Sequence, residues 1–259
     1  MDATQTPPAA RPWIAFGPRD APAIVFLHGT RLTRTQWLPQ LRRLGARYRC
    51  VAVDLPGHGM RAGELFTIDA AIAAVSAAIE AEAPSGRAVL VGLSLGGYVA
   101  IETAEARPDL VAGLVLAGCS AEAFGPSAWS FRLYAMLMER VPAPVIDRLN
   151  GLYFRLRYPR SVADPIIDGG IWPAAGAQAL RLLLGRRYLE RLGRLWLPVL
   201  VVNGTLDPLF GPQGDHWAAS CRSGRHVALR RAMHLSNLDR PTSFSRLVAA
   251  FTERTTRAS

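Results

Sequence analysis

The sequence predicts an α/β protein: a mostly parallel sheet flanked by helices, with a helical insertion between two of its strands. Three observations carry this. Half of the 259 residues are hydrophobic and only 19% are charged, which suits one domain with a large core. From about residue 20, short apolar runs alternate with segments of helical period, the pattern of βαβ units. Between Ser120 and Trp196 that alternation stops and no strand-like run is found.

Residues 1–19 are read as a Pro- and Ala-rich tail followed by a first short strand, for which only Trp13 to Phe16 is available. Six runs then read as buried strands: Ala23 to Leu27, Cys50 to Val53, Ala88 to Val91, Leu114 to Ala117, Val199 to Val202 and His226 to Leu229. Each is apolar and bounded by Gly, Pro, Asp or Asn. Ile68, Ile72, Val75 and Ile79 recur at helical spacing behind a Thr67 cap, as do Phe244, Leu247, Val248 and Phe251. The segment 120–196 holds helix-like pieces separated by Pro142, Pro159, Pro165, Gly169, Gly170 and Pro173. The expected organisation is a core of residues 20–119 and 197–259, interrupted by a helical insertion at 120–196.

Net charge is +10, and all 30 basic residues are arginine. They are scattered, without a basic run or a nucleic-acid-binding motif, so no nucleic-acid partner is expected. Cys50, Cys119 and Cys221 stand at unrelated spacings with no CxxC pair, which suggests neither a disulfide framework nor a metal site. No secretory leader and no apolar run of membrane-spanning length is found. A cytoplasmic protein without cofactor or metal is expected, and its oligomeric state is left open.

The sharpest local signal is Gly92-Leu93-Ser94-Leu95-Gly96-Gly97, between a predicted strand and a helix-compatible stretch from Tyr98 to Ala106. A sharp strand-to-helix turn puts the serine in strained geometry and is tolerable only where glycines remove clashing side chains. It lifts the hydroxyl above the strand end and leaves the Leu95 N–H at a helix start, where an oxyanion is stabilised. Other features accompany it. His28-Gly29 follows the first long strand, Asp54-Leu55-Pro56-Gly57-His58-Gly59 follows the next, Asn203-Gly204-Thr205-Leu206-Asp207-Pro208 follows a later one, and His234 lies just past the last.

Together these motifs make the chain resemble the α/β-hydrolase family over nearly all of Ala23 to Phe251. The resemblance implies a serine hydrolase with Ser94 as nucleophile, His234 as general base and Asp207 as the acid that orients it. The His-Gly loop resembles the family's oxyanion loop, which assigns the second backbone N–H, beside that of Leu95, to Thr30. His28 and His58 are expected to be structural, and Met60-Arg61 stand where the family often has a serine. Asp215 competes for the acid, and His226 and His216 for the base, but all three sit within predicted elements rather than at a strand end.

The family places a cap over its active site where segment 120–196 lies, so specificity is expected to reside there. That segment carries eleven arginines against six acidic residues, a net of +5 that could attract an anionic substrate. A small to medium carboxylic ester or lactone is the expected substrate. The alternatives are a thioester on coenzyme A or an acyl carrier, or a small-molecule receptor that keeps the triad and hydrolyses very slowly. Cys119 is expected to pack rather than react.

Overall fold

The computed structural model describes residues 11–125 and 128–257; the first ten residues of the expected tail lie outside these. Seven strands form one sheet: β1 (Trp13–Phe16), β2 (Ala23–Leu27), β3 (Arg49–Val53), β4 (Ala88–Leu93), β5 (Val111–Ala117), β6 (Pro198–Gly204) and β7 (Ser223–Leu229). Their spatial order is β1-β3-β2-β4-β5-β6-β7, with every neighbour parallel except the β1–β3 pair. All six runs read as strands are strands. The short first strand also forms, because an antiparallel edge strand needs only one partner: Trp13 to Phe16 lie opposite Val53 to Cys50.

Burial on both faces explains why the central strands read as continuous apolar runs rather than alternating ones. Val25, Leu27, Val51, Val53, Leu90, Leu114, Leu116, Val199 and Val201 face one half of the core. Their neighbours Ile24, Phe26, Cys50, Ala52, Val89, Val91, Val115, Leu200 and Val202 face the other. The first half is closed by α2 (Ile68–Glu82), α3 (Leu95–Ala106) and α9 (Gly214–Ser220), and the second by α1 (Leu38–Leu44) and α11 (Pro241–Arg257). Full burial of each Val, Leu, Ile or Phe is worth about 1.5–3 kcal/mol, so this double-sided core dominates the favourable side of folding. Helix α2 starts as expected: the Thr67 hydroxyl accepts the Ala70 N–H at 3.0 Å.

Between β5 and β6 the chain forms five helices among the described residues: α4 (Ala128–Arg140), α5 (Ala143–Arg157), α6 (Arg160–Asp168), α7 (Pro173–Leu183) and α8 (Tyr188–Arg194). Pro142 and Pro159 occupy N-cap positions and Pro173 starts α7, so three of the separating prolines mark helix starts. Pro165 departs from the expectation by lying inside α6. A short α10 (Ser236–Asp239) precedes α11, and no described helix is long and apolar enough to cross a membrane.

Candidate active site

The sheet register brings distant segments to one rim. Leu27 lies opposite Gly92, Leu93 opposite Ala117, and Gly204 opposite Leu229. The loops leaving β2, β4, β6 and β7 therefore emerge on the side of the strand C-termini, where open α/β sheets bind ligands. Those loops carry Thr30, Ser94, Asp207 and His234.

Ser94 joins β4 to α3 with φ 53° and ψ −117°, a conformation that favours glycine. The surrounding turn is over-determined. The Ser94 N–H donates to the Ala117 carbonyl at 2.8 Å, and a β-carbon on Gly96 would lie 2.1 Å from the Leu27 carbonyl oxygen. One on Gly92 would lie 2.2 Å from the Gly96 oxygen, so both flanking glycines are sterically required. Strain of this kind costs about 1–3 kcal/mol. Ser94→Gly should relieve it and raise stability by a net of about 0.5–2 kcal/mol after the extra unfolded-state freedom of glycine, seen as a higher thermal midpoint. A midpoint that stays level or falls in calorimetry would show that no strain is stored there.

Asp207 follows β6 by three residues and is buried. His234 Nδ1 lies 3.0 Å from its Oδ2, while Oδ1 accepts the N–H groups of Leu209 at 3.1 Å and Phe210 at 3.2 Å. Burial pushes the Asp207 carboxyl up. The hydrogen bond and charge of His234, with the two backbone donors, outweigh this and hold it below its ordinary value. An ionised Asp207 can only accept, so Nδ1 carries the proton of this hydrogen bond and Nε2 is the ring nitrogen left for other partners. The ring stacks on Phe210, with centroids 5.0 Å apart and planes 27° from parallel. It also lies over Gly118, on which a β-carbon would sit 3.0 Å from Nδ1.

The rivals fall elsewhere. Asp215 and His226 pair with each other, Nδ1 to Oδ1 at 2.9 Å, between α9 and β7. Neither they nor His216 line the cavity that holds Ser94. That cavity has a volume of about 550 Å³ and is bordered by Ser94, Asp207 and His234 together with Gly29, Thr30 and Arg31. Its walls are largely apolar: Leu93, Trp129, Phe131, Leu137 and Phe154 are among them. The Thr30 N–H makes no hydrogen bond among the described residues. The Leu95 N–H opens α3 and so has no carbonyl one turn earlier within the helix.

His28 and His58 are fully buried side chains beneath the rim, with ring centroids 4.8 Å apart. His28 Nδ1 bonds the Gly29 carbonyl and Nε2 accepts the Leu55 N–H at 3.0 Å, which ties the β2 and β3 loops together. Asp54 accepts the Arg34 and Met60 N–H groups at 2.8 and 2.9 Å. The donor at position 60 is backbone, so the turn closes without a serine there. Cys119 is buried and its thiol is pushed up by desolvation, in keeping with packing.

Two side chains hold the acid loop, and their role there was not legible in the sequence. Ser120 Oγ donates to the Phe210 carbonyl at 2.7 Å, and Asn203 Nδ2 donates to both Ser120 Oγ and that carbonyl. They meet only because β5 and β6 are neighbours; Asn203, directly before Gly204, was the one available signal.

A family model described as the alpha/beta hydrolase family matches residues 24–247, most of the chain. The chain belongs to the alpha/beta hydrolase family. Among curated relatives of this alpha/beta hydrolase is a pimeloyl-[acyl-carrier protein] methyl ester esterase of Xanthomonas campestris pv. campestris. It is 33% identical over 215 residues, covering 77% of this chain and 82% of the relative. A 3-oxoadipate enol-lactonase of Acinetobacter baylyi is 24% identical over 244 residues, covering 91% and 90%. Among solved structures, a thermophilic esterase from Thermogutta terrifontis superposes with a TM-score of 0.75 at 23% identity, covering 94% of this chain and 93% of that one. At that identity the likeness speaks to fold.

Proposed function

We propose that this alpha/beta hydrolase cleaves a small to medium carboxylic ester or lactone through an acyl-enzyme on Ser94. The observation that carries the reading is the His234–Asp207 pair bordering one largely apolar cavity with the strained Ser94. Free Nε2 of His234 takes the Ser94 proton as the oxygen attacks the substrate carbonyl, and Asp207 stabilises the imidazolium that forms. The Thr30 and Leu95 N–H groups receive the oxyanion. His234 then protonates the departing alkoxide, and water, deprotonated by the same imidazole, releases the acid. The names of the curated relatives support ester or lactone chemistry.

The five helices between β5 and β6 act in this reading as a cap, since α4, α5 and α7 supply Trp129, Phe131, Phe154 and Leu180 to the cavity wall. Their charge is less available than its sum suggests. Arg157, Arg181, Arg186, Arg187, Arg191 and Arg194 are each ion-paired within the chain. A thioester would suit the same chemistry, and ester, lactone and thioester panels at low and high salt separate these substrates.

The test that needs no substrate is intact mass after treatment with a fluorophosphonate. A single adduct on the parent and none on Ser94→Ala is expected. Absence of any adduct would remove the acyl-enzyme and leave a binding protein or receptor.

A further inference from the structure

Arg31 is the one cation bordering the cavity, among the residues that line it, and none of its contacts is to a carboxylate. It follows Thr30 directly in the loop after β2. Its Nη1 donates to the Tyr134 hydroxyl and lies 3.9 Å from Met138 Sδ, and its guanidinium carbon stands 5.6 Å from the Tyr134 ring centroid. Nε is shut off from solvent and has no hydrogen-bond partner. Most other partly buried arginines of the chain have an acidic partner: Arg34 has Asp54, Arg49 has Glu82, and Arg191 has Glu102 and Glu105.

The backbone shows that this placement is built in. Arg31 has φ 62°, a left-handed conformation that non-glycine residues adopt uncommonly. Its carbonyl accepts the Trp172 N–H at 2.9 Å, which locks the loop against the approach to α7. Non-glycine backbone in this region costs energy and persists where the surroundings hold it, as they do at many ligand sites. A guanidinium facing apolar walls without a counter-ion is unfavourable unless something supplies the charge, and it is the side chain best shaped to grip a carboxylate with two parallel hydrogen bonds.

We propose that Arg31 determines the specificity of this site by pairing with a carboxylate on the substrate, so that the preferred ester or lactone is anionic, of the class of dicarboxylic acid monoesters. This rests on the hydrolase reading above. The apolar wall residues contact the methylene chain, Arg31 holds its far carboxylate, and the carbonyl to be attacked is thereby set at Ser94. The chemistry is unchanged: Arg31 binds and orients, and no proton passes through it.

The experiment compares kcat/KM for mono-p-nitrophenyl adipate and p-nitrophenyl hexanoate in the parent, Arg31→Met and Arg31→Lys. The ratio of the two rates is the readout, because any loss of folded or active enzyme cancels in it. The parent is expected to prefer the adipate ester, and Arg31→Met to lower the ratio about 10- to 100-fold, the worth of a hydrogen-bonded charge pair. Arg31→Lys should keep part of the preference, having the charge without the fork. A parent that prefers hexanoate, or a ratio unmoved in Arg31→Met, would overturn the proposal while leaving the hydrolase reading intact. If neither ester turns over and no fluorophosphonate adduct forms, it is the hydrolase reading that fails. Calorimetric titration with adipate then decides the rest: binding lost in Arg31→Met upholds the carboxylate site, and no binding to the parent overturns it.

Discussion

Replacing Ser94 with alanine is expected to lower kcat/KM on any ester the protein turns over by at least about three orders of magnitude, with the fold retained. Alanine inherits the same positive φ as serine, so thermal stability should barely change, in contrast to the gain expected from Ser94→Gly. Because the proposed nucleophile, base and orienting acid act as a unit, adding His234→Ala to Ser94→Ala should cost little more than Ser94→Ala alone. Purified Ser94→Ala retaining more than about a tenth of parental turnover would remove Ser94 from the mechanism.

The second large effect concerns stability in mild acid. Desolvation by burial lowers His28 to about 4 and His58 to about 3, and mutual repulsion adds to the shift at His58. The unfolded chain would protonate both near 6.5. Between pH 6.5 and those folded-state values the unfolded state binds more protons, so stability falls as pH falls. At pH 5 the two groups together should remove on the order of 3–4 kcal/mol, a large part of a typical folding free energy. Asp207 adds to the loss only below about pH 4, because its folded value is depressed rather than raised. Urea midpoints at pH 7.5 and 5.0 measure this directly. His58→Asn, which keeps a donor for the Pro56 carbonyl, should remove about half of the dependence. Midpoints that coincide at the two pH values would mean that the pair is not held neutral by burial.

The strands and the rim were readable because each rests on local chemistry. Fully buried parallel strands must be apolar throughout, and the turns that follow them need Gly, Asp or Pro at fixed offsets. Ser94 and Asp207 stand in such turns, and their neighbours Gly92, Gly96 and Gly204 each lie where backbone approaches too closely for a β-carbon. Strand β7 begins at Ser223, three residues before its apolar part, because β6 continues to pair with Ser-Gly-Arg at the exposed sheet edge. Composition at an edge carries little signal. Helix α1 has a short apolar face and no side-chain cap, and it too left no clear mark. Part of the cavity wall was illegible in a different way: Arg31 and Phe210 come from loops far apart in the chain, and no periodicity links them.

The position of the five-helix excursion has a consequence for the newborn chain. It leaves from β5 and returns to β6, the strand that pairs beside it, so one edge of the growing sheet stays open for roughly 80 residues of synthesis. At ribosomal rates of about 5–20 residues per second, that is on the order of 4–16 seconds in which apolar Val111–Ala117 lacks its final neighbour. Two of the three residues proposed for the chemistry, Asp207 and His234, are made only after that interval. A chain stalled before His234 is made would thus be inert, and the onset of hydrolysis would mark a sheet already finished.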